Sequence, residues 1–484
     1  MNYPRLLSGE SRKFDEFLPV YNWYYPASVD SNDALGIHQV GDYLDRHLID
    51  TPASRAIYVH IPFCETICSF CPFSRGRYKA SEQIDMYCDA LISEIRIKSR
   101  IEALTKVPIR AIFFGGGTPS LMGARNLRRV ITTLTESFDL SSLEEFSFEM
   151  EVKSVDEEIV HAAFECGVTH PRFGLQTFDP RLRELYGLTA SLDQIYRAAE
   201  LLRTQFPFPS FDILYGSPGQ TIEEFEADID EAVSLGIANI DFYPLNNFSV
   251  QKALYNYATA NGLGSVTGEM KFEMNQLLRS RIAKYGYHPH NGHGYFKCWP
   301  DDPNFSQVVS DEYSFVYHEH VYGEPDADFI GFGNSAISVL PGVVLVNAKS
   351  REIYADSYGQ AGEPNVSSAS FCDSLWQART VSMCLAYHGK TRKDSCDWNI
   401  VPAETIQALI NLINEDLVIE NEKEFALTRN GWNWYANVMF HLLPSREKQA
   451  LFEHLQSRLA MRPWVASFVG IKARTASRPT MKTA

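Results

Sequence analysis

The chain has 484 residues, 45% hydrophobic and 21% charged, ordinary globular proportions that exclude a disordered or fibrous protein and suit several domains or one large barrel with appendages. Its 60 acidic against 44 basic residues give a formal charge of −16, which repels phosphate backbones, and no basic patch stands out to offset it. Apolar stretches such as Val339–Val346 are far too short to span a bilayer, and the opening MNYPRLLSGESRKFDEF lacks the apolar core of a secretory signal. A cytoplasmic protein with neither a nucleic-acid nor a membrane partner is expected.

Residues 1–52 are polar, aromatic and irregular and read as an N-terminal arm or cap. From Arg55, β-branched or aromatic runs alternate with longer amphipathic stretches. Strands are predicted at Ala56–His60, Ile109–Phe114, Phe146–Glu149, Arg172–Gln176, Phe211–Tyr215 and Ala238–Tyr243. Between them, helices are predicted at Ser81–Arg100, Ala124–Ser137, Val155–Cys166 (closed by Gly167), Leu192–Arg203 and Thr221–Leu235, the last opened by a capping box of Thr221 and Glu224. Six β-then-α units in succession imply an α/β fold with a parallel sheet curled by right-handed crossovers into a partial (β/α)6 barrel. With its extension this barrel is expected over 53–350, followed at 351–484 by a mainly helical domain. Within that domain, Ile406–Ala436 reads helix, short β-pair, helix, like a winged helix, and the charged tail from Lys472 reads as a loose terminus.

Six of the nine cysteines, at 88, 166, 298, 372, 384 and 396, are scattered and read as buried small hydrophobes. The other three, Cys64, Cys68 and Cys71, form a C-x3-C-x2-C run. Structural zinc takes four ligands, usually as two separated pairs, and no second pair follows here. A [4Fe–4S] cubane held by three thiolates keeps one iron with an open position able to chelate a substrate.

Chemistry in such barrels collects at the C-terminal strand ends. The cysteine loop follows the first strand there, and Gly115, Gly116, Gly117, Thr118 and Pro119 follow the second. Glu149 ends the third strand, Gln176 the fourth and Tyr243 the sixth, with Asp212 in the fifth. The glycines let backbone N–H groups approach a ligand, and the carboxylates suit a ribose diol or an ammonium group. The histidines of HPHNGHG (288, 290, 293) and YHEHVYG (318, 320) have no acidic or thiol partner fixed by sequence, so they read as a polar pocket wall or a solvated loop rather than a second metal site.

YVHIPFCETICSFCPF at Tyr58–Phe73 resembles the radical S-adenosylmethionine (SAM) enzymes, in the branch of oxygen-independent coproporphyrinogen III dehydrogenase (HemN-like). The resemblance extends from about residue 20 to about 440, through YPAS (25–28), FFGGGTPS (113–120), GLQTFD (174–179), DILYGSPGQT (212–221), GFGNSAIS (331–338) and LTRNGW (427–432). It implies that Cys64, Cys68 and Cys71 hold a [4Fe–4S] cluster whose open iron binds SAM. It also implies SAM contacts at Tyr58, Gly116, Glu149, Pro244 and Ile337, and a second SAM beside Phe70, Gly117, Thr118, Gln176 and Asp212. An external one-electron donor such as flavodoxin or ferredoxin would reduce the cluster, which cleaves SAM to a 5′-deoxyadenosyl radical that acts on a small-molecule substrate.

Two departures bear on the reaction. The family's arginine for the second SAM falls on Leu188, with Arg172, Arg181 and Arg183 as substitutes, and Pro72–Phe73 stand where coproporphyrinogen enzymes carry glycine and a further cysteine. The altered residues after the cluster favour transfer of a SAM-derived methyl or methylene carbon to an unsaturated carbon, as in the methyltransferase and cyclopropanase relatives. The overall match favours oxidative decarboxylation of coproporphyrinogen III, and a non-catalytic haem-trafficking relative is the third reading.

Overall fold

A computed structural model of the chain describes residues 33–71, 73–245, 252–264, 266–301, 315–359 and 363–459, together with 13, 14, 18, 23 and 25–28. Part of the predicted arm, Pro72 and the tail from Lys472 lie outside the described residues.

The six predicted strands are present at Ser54–Ile61, Ile109–Gly116, Glu145–Met150, His170–Gln176, Ser210–Tyr215 and Asn239–Pro244, hydrogen-bonded in that order and all parallel. The first is buried along nearly its whole length, as expected of a parallel strand covered on both faces. The helices between them lie close to prediction, at Glu82–Lys98, Gly123–Ser137, Glu157–Glu165, Leu192–Gln205 and Ile222–Ser234. The chain leaves the third of these at Gly167, where φ is +83°, and the capping box forms as read, with Thr221 Oγ1 accepting from the Glu224 N–H.

The parallel run has seven strands rather than six, because Ala327–Phe332 lies parallel to the first strand on its open side. Arg55 fixes that junction by donating to both Asp328 oxygens at 2.6 Å, with further bonds to the Ala103 and Leu104 carbonyls. Both partners are fully buried, so neither charge is solvated and each depends on the other. Antiparallel strands extend the sheet at both ends to thirteen in all. Two of them, Asp33–Gly36 and Asn365–Ser370, come from outside residues 53–350, so the sheet crosses both expected boundaries.

Beyond residue 370 the chain is mainly helical, with a small antiparallel sheet of Lys390–Arg392, Glu424–Leu427 and Val418–Glu420. It encloses a second core around Trp434, Tyr387 and Val381, into which Phe14, Leu18 and Tyr25 pack. The scattered cysteines divide: Cys88, Cys298 and Cys384 are buried and Cys166 and Cys396 half-buried, whereas Cys372 is exposed, contrary to the expectation of uniform burial. Among the described residues no helix is long and apolar enough to cross a membrane.

Candidate functional site

A cavity of about 180 Å³ opens at the C-terminal ends of the parallel strands. Cys64, Cys68 and Cys71 line it, with Phe70, Gly116, Gly117, Thr118, Glu149, Gln176 and Asp212 from the strand ends. Tyr58, Pro244 and Ile337 lie off it. Tyr58 faces the barrel interior, where its hydroxyl meets His60 Nδ1 at 3.0 Å, Pro244 pairs with Tyr215, and Ile337 lies in an antiparallel strand opposite Val346.

Local contacts hold the cysteine loop. Phe63–Cys64 pairs with Gly76–Arg77, closing the loop at its base. Ser69 bonds the Leu185 and Tyr186 carbonyls at 2.9 and 3.0 Å, and the Phe70 ring meets Tyr186 edge-on at 4.9 Å. The glycine turn presses from the other side: the Gly117 N–H donates to the Ile61 carbonyl at 2.7 Å, and a Cβ there would lie 2.6 Å from the Phe63 carbonyl oxygen. Only glycine fits this approach.

Burial pushes the Cys64 thiol up to about 11 and Cys68 to about 12, reinforced by the other cysteines; Cys71 is also raised by burial, with Arg75 opposing. Thiols so placed stay protonated at neutral pH unless a cation replaces the lost solvation, and iron does this. Among the described residues no three His, Cys, Asp or Glu side chains gather to hold one metal ion. A cubane takes each thiolate at a different iron, so three thiols spread around one cavity fit a cluster rather than a single ion.

Opposite the cysteines lies a charged group. Arg172 donates from one nitrogen to Asp212 at 2.9 Å and to Asp241 at 2.6 Å, and its buried Nε has no partner. Burial raises the Asp212 carboxyl against the pull of Arg172, whereas at Asp241 the effect of burial is outweighed by Arg172, with help from the Asn239 hydrogen bond, and the carboxyl is held below its usual range. Burial also lifts Glu149 to about 7, with Arg172 opposing and Asp212 adding to the rise. Gln176 has a φ of +73° beside a register shift, a strained backbone that aims its amide into the cavity.

Of the substitutes for the family arginine, Arg181 points away and pairs with Glu224 at 2.8 Å. Arg183 lines the cavity but spends its donors on the Leu175, Thr177 and Ala190 carbonyls. Leu188 itself lines the cavity and packs with Phe70 against the Leu182–Tyr186 core. Arg172 thus carries the charge nearest Asp212.

Four of the five histidines are withdrawn from solvent, and His288 is half-buried. His290, His293, His318 and His320 are buried, and burial lowers His293 to about 3 and His290 to about 4, so both are neutral. His293 lies between the Tyr387 and Tyr435 hydroxyls, at 3.0 and 3.4 Å, with the Tyr243 ring 4.0 Å away. Sequence pattern alone did not unite these residues with Asp241, because they come from four distant segments.

The Radical SAM superfamily profile matches residues 58–232. Anaerobilin synthase of Escherichia coli O157:H7 is 34% identical over 43% of this chain and 48% of its own length, so the chain matches about half of that relative. Heme chaperone HemW of Lactococcus lactis is 32% identical over 48% of this chain and 59% of its own length. Oxygen-independent coproporphyrinogen III oxidase of Salmonella typhimurium is 24% identical over 87% of this chain and 91% of its own. In structure, Escherichia coli coproporphyrinogen III oxidase (HemN) superposes with a TM-score of 0.70 at 20% identity, covering 89% of this chain and 99% of that one, which shows a shared fold. The chain therefore carries a radical SAM domain, whose cofactors are a [4Fe–4S] cluster and S-adenosylmethionine, and its relatives are the coproporphyrinogen III oxidase-like proteins.

Proposed function

We propose that the protein is a radical SAM enzyme that oxidatively decarboxylates a tetrapyrrole of the coproporphyrinogen type. The observation that carries this reading is the match to oxygen-independent coproporphyrinogen III oxidase over 87% of the chain, through the C-terminal region as well as the barrel. Cys64, Cys68 and Cys71 would hold the cluster, and Glu149, Gln176 and Asp212 would bind SAM across the cavity from them. When bound and reduced, the cluster supplies the electron that cleaves SAM.

The chain's own residues orient and shield. The Gly116–Thr118 turn presents backbone to the ligand, and Thr118 Oγ1 donates to Cys64 Sγ at 3.7 Å. Arg172 keeps Asp212 and the fully buried Asp241 compensated at the cavity wall. Mass spectrometry of the anaerobically reconstituted, reduced protein with coproporphyrinogen III tests the reading: vinyl products with 5′-deoxyadenosine support it, and an unchanged porphyrinogen rejects it.

A second reading is transfer of a SAM-derived carbon to an unsaturated substrate. The residues after the cluster loop favour it, since Phe73, which lines the cavity, stands where the coproporphyrinogen resemblance calls for cysteine, while Leu188 weakens the second SAM site that such a transfer uses. S-adenosylhomocysteine formed alongside deoxyadenosine would mark that outcome.

A further inference from the structure

The chain is strongly acidic, yet the fold assembles a basic face beside the cysteine loop. This corrects the expectation that no basic patch exists: it is built from two segments, 75–79 and 349–351, far apart in sequence. Cys64 and Arg77 are direct neighbours across two paired strands, about 4.8 Å apart at the backbone. The Arg77 and Lys79 side chains point to solvent.

The second segment is fastened to the first. Arg351 Nη1 donates to the Arg77 carbonyl at 3.2 Å, and its guanidinium lies 5.0 Å over the Phe63 ring. Ser335 meets the Ser74 hydroxyl at 3.1 Å and donates to the Lys349 carbonyl, bringing exposed Lys349 to the same rim. Arg351 pairs with Glu352, whereas among the described residues no carboxylate pairs with Arg77, Lys79 or Lys349. Two large apolar side chains stand in this region, Phe73 at 50% and Ile353 at 60% exposure. Unpaired cations with exposed apolar side chains on the same two stretches of chain suit a modest, electrostatically steered interface.

We propose that this face docks an acidic one-electron carrier protein, which delivers its electron to the cluster held by Cys64, Cys68 and Cys71. The inference rests on the reading of those cysteines as cluster ligands. Cys64 is paired strand to strand with Arg77, so a carrier seated on this rim lies next to the cluster loop, a short path for the electron. The step balances as one electron: the carrier's centre is oxidised by one, the cluster reduced by one, and no bond or proton changes at this chain. A nucleic acid is the less favoured occupant, because so few cations must offset a chain of charge −16.

The test compares the reconstituted wild type with a Lys79→Glu/Lys349→Glu variant, following loss of the cluster's visible absorbance. Reduced flavodoxin is the protein donor, and photoreduced 5-deazariboflavin, small and uncharged, is the control. Charge reversal should slow reduction by flavodoxin about ten-fold or more at low ionic strength, with the difference vanishing near ~1 M salt. Reduction by deazariboflavin should be unchanged. Equal flavodoxin rates in the two proteins would overturn the docking surface while leaving the cluster reading intact. A wild-type protein with no cluster for deazariboflavin to reduce would overturn the cluster reading itself. Salt-sensitive binding of a DNA duplex, lost in the variant while flavodoxin rates stay equal, would assign the face to nucleic acid.

Discussion

Arg172 Nη2 lies 2.9 Å from Asp212, and the same nitrogen lies 2.6 Å from Asp241, so one buried cation joins the cavity wall to the barrel interior. Removing the cation leaves buried carboxylates without a counter-charge. Arg172→Leu should destabilise the protein by about 3–5 kcal/mol, the usual cost of breaking a buried pair from one side. Asp212→Asn should cost much less, because Asp241 keeps Arg172 compensated, yet it should still weaken SAM binding. Urea denaturation and SAM calorimetry on both variants check this, and equal destabilisation would contradict it.

Glu149 gives a pH signature. Burial raises its carboxyl from 4.5 to about 7, so the folded state holds a proton that the unfolded state releases across that interval. Stability therefore falls as pH rises from about 4.5 to about 7, and the cost persists above that range. Glu149→Gln removes a penalty of up to about 3 kcal/mol at neutral pH, taking 1.36 kcal/mol per pH unit. Without ligand, the variant should be more stable than wild type at pH 8, with the gap closing towards pH 4.5. An unchanged gap across that range would rule the assignment out.

Gln176 has a φ of +73°, a conformation that glycine adopts freely and other residues adopt at a cost of about 1 kcal/mol or more. Gln176→Gly should leave stability within about 1 kcal/mol of wild type, because relief of strain offsets the added freedom of the unfolded chain. SAM cleavage should nonetheless fall steeply, since the side-chain amide is lost from the cavity. A variant that cleaves SAM normally would reduce Gln176 to a structural bend.

Gly117→Ala tests the close approach of the turn. The added methyl would meet the Phe63 carbonyl at 2.6 Å, and backbone must move to admit it. The cysteine loop begins at the next residue, so the variant should retain less iron after reconstitution. Iron and sulfide assays would show wild-type content if the turn does not support the loop.

The parallel strands were legible because runs such as Ile109–Phe114 are apolar on both faces and the intervening helices carry clear caps, Thr221 with Glu224 among them. The cysteine spacing was legible because the ligands lie within one short loop. Ala327–Phe332 escaped notice as a parallel strand because it joins the sheet beside a strand nearly 270 residues earlier, a pairing that no local period records. The pairing of Arg172 with Asp241 depends on strand register, in which Asp212 stands opposite Asp241. The buried histidines read as loop residues because their covers come from distant segments: Tyr387 over His293, Asn239 beside His290 and Ser54 beside His320. The basic rim required Arg351 to meet Arg77, and no sequence window contains both.

The central claim is that Cys64, Cys68 and Cys71 hold the cluster at which SAM is cleaved, and 5′-deoxyadenosine measured after chemical reduction tests it directly. The reconstituted wild type should bind about four irons, as a [4Fe–4S] cluster requires, and release deoxyadenosine from SAM, while Cys64→Ala, Cys68→Ala and Cys71→Ala each should release none. Undiminished deoxyadenosine from any one of the three variants would contradict the account.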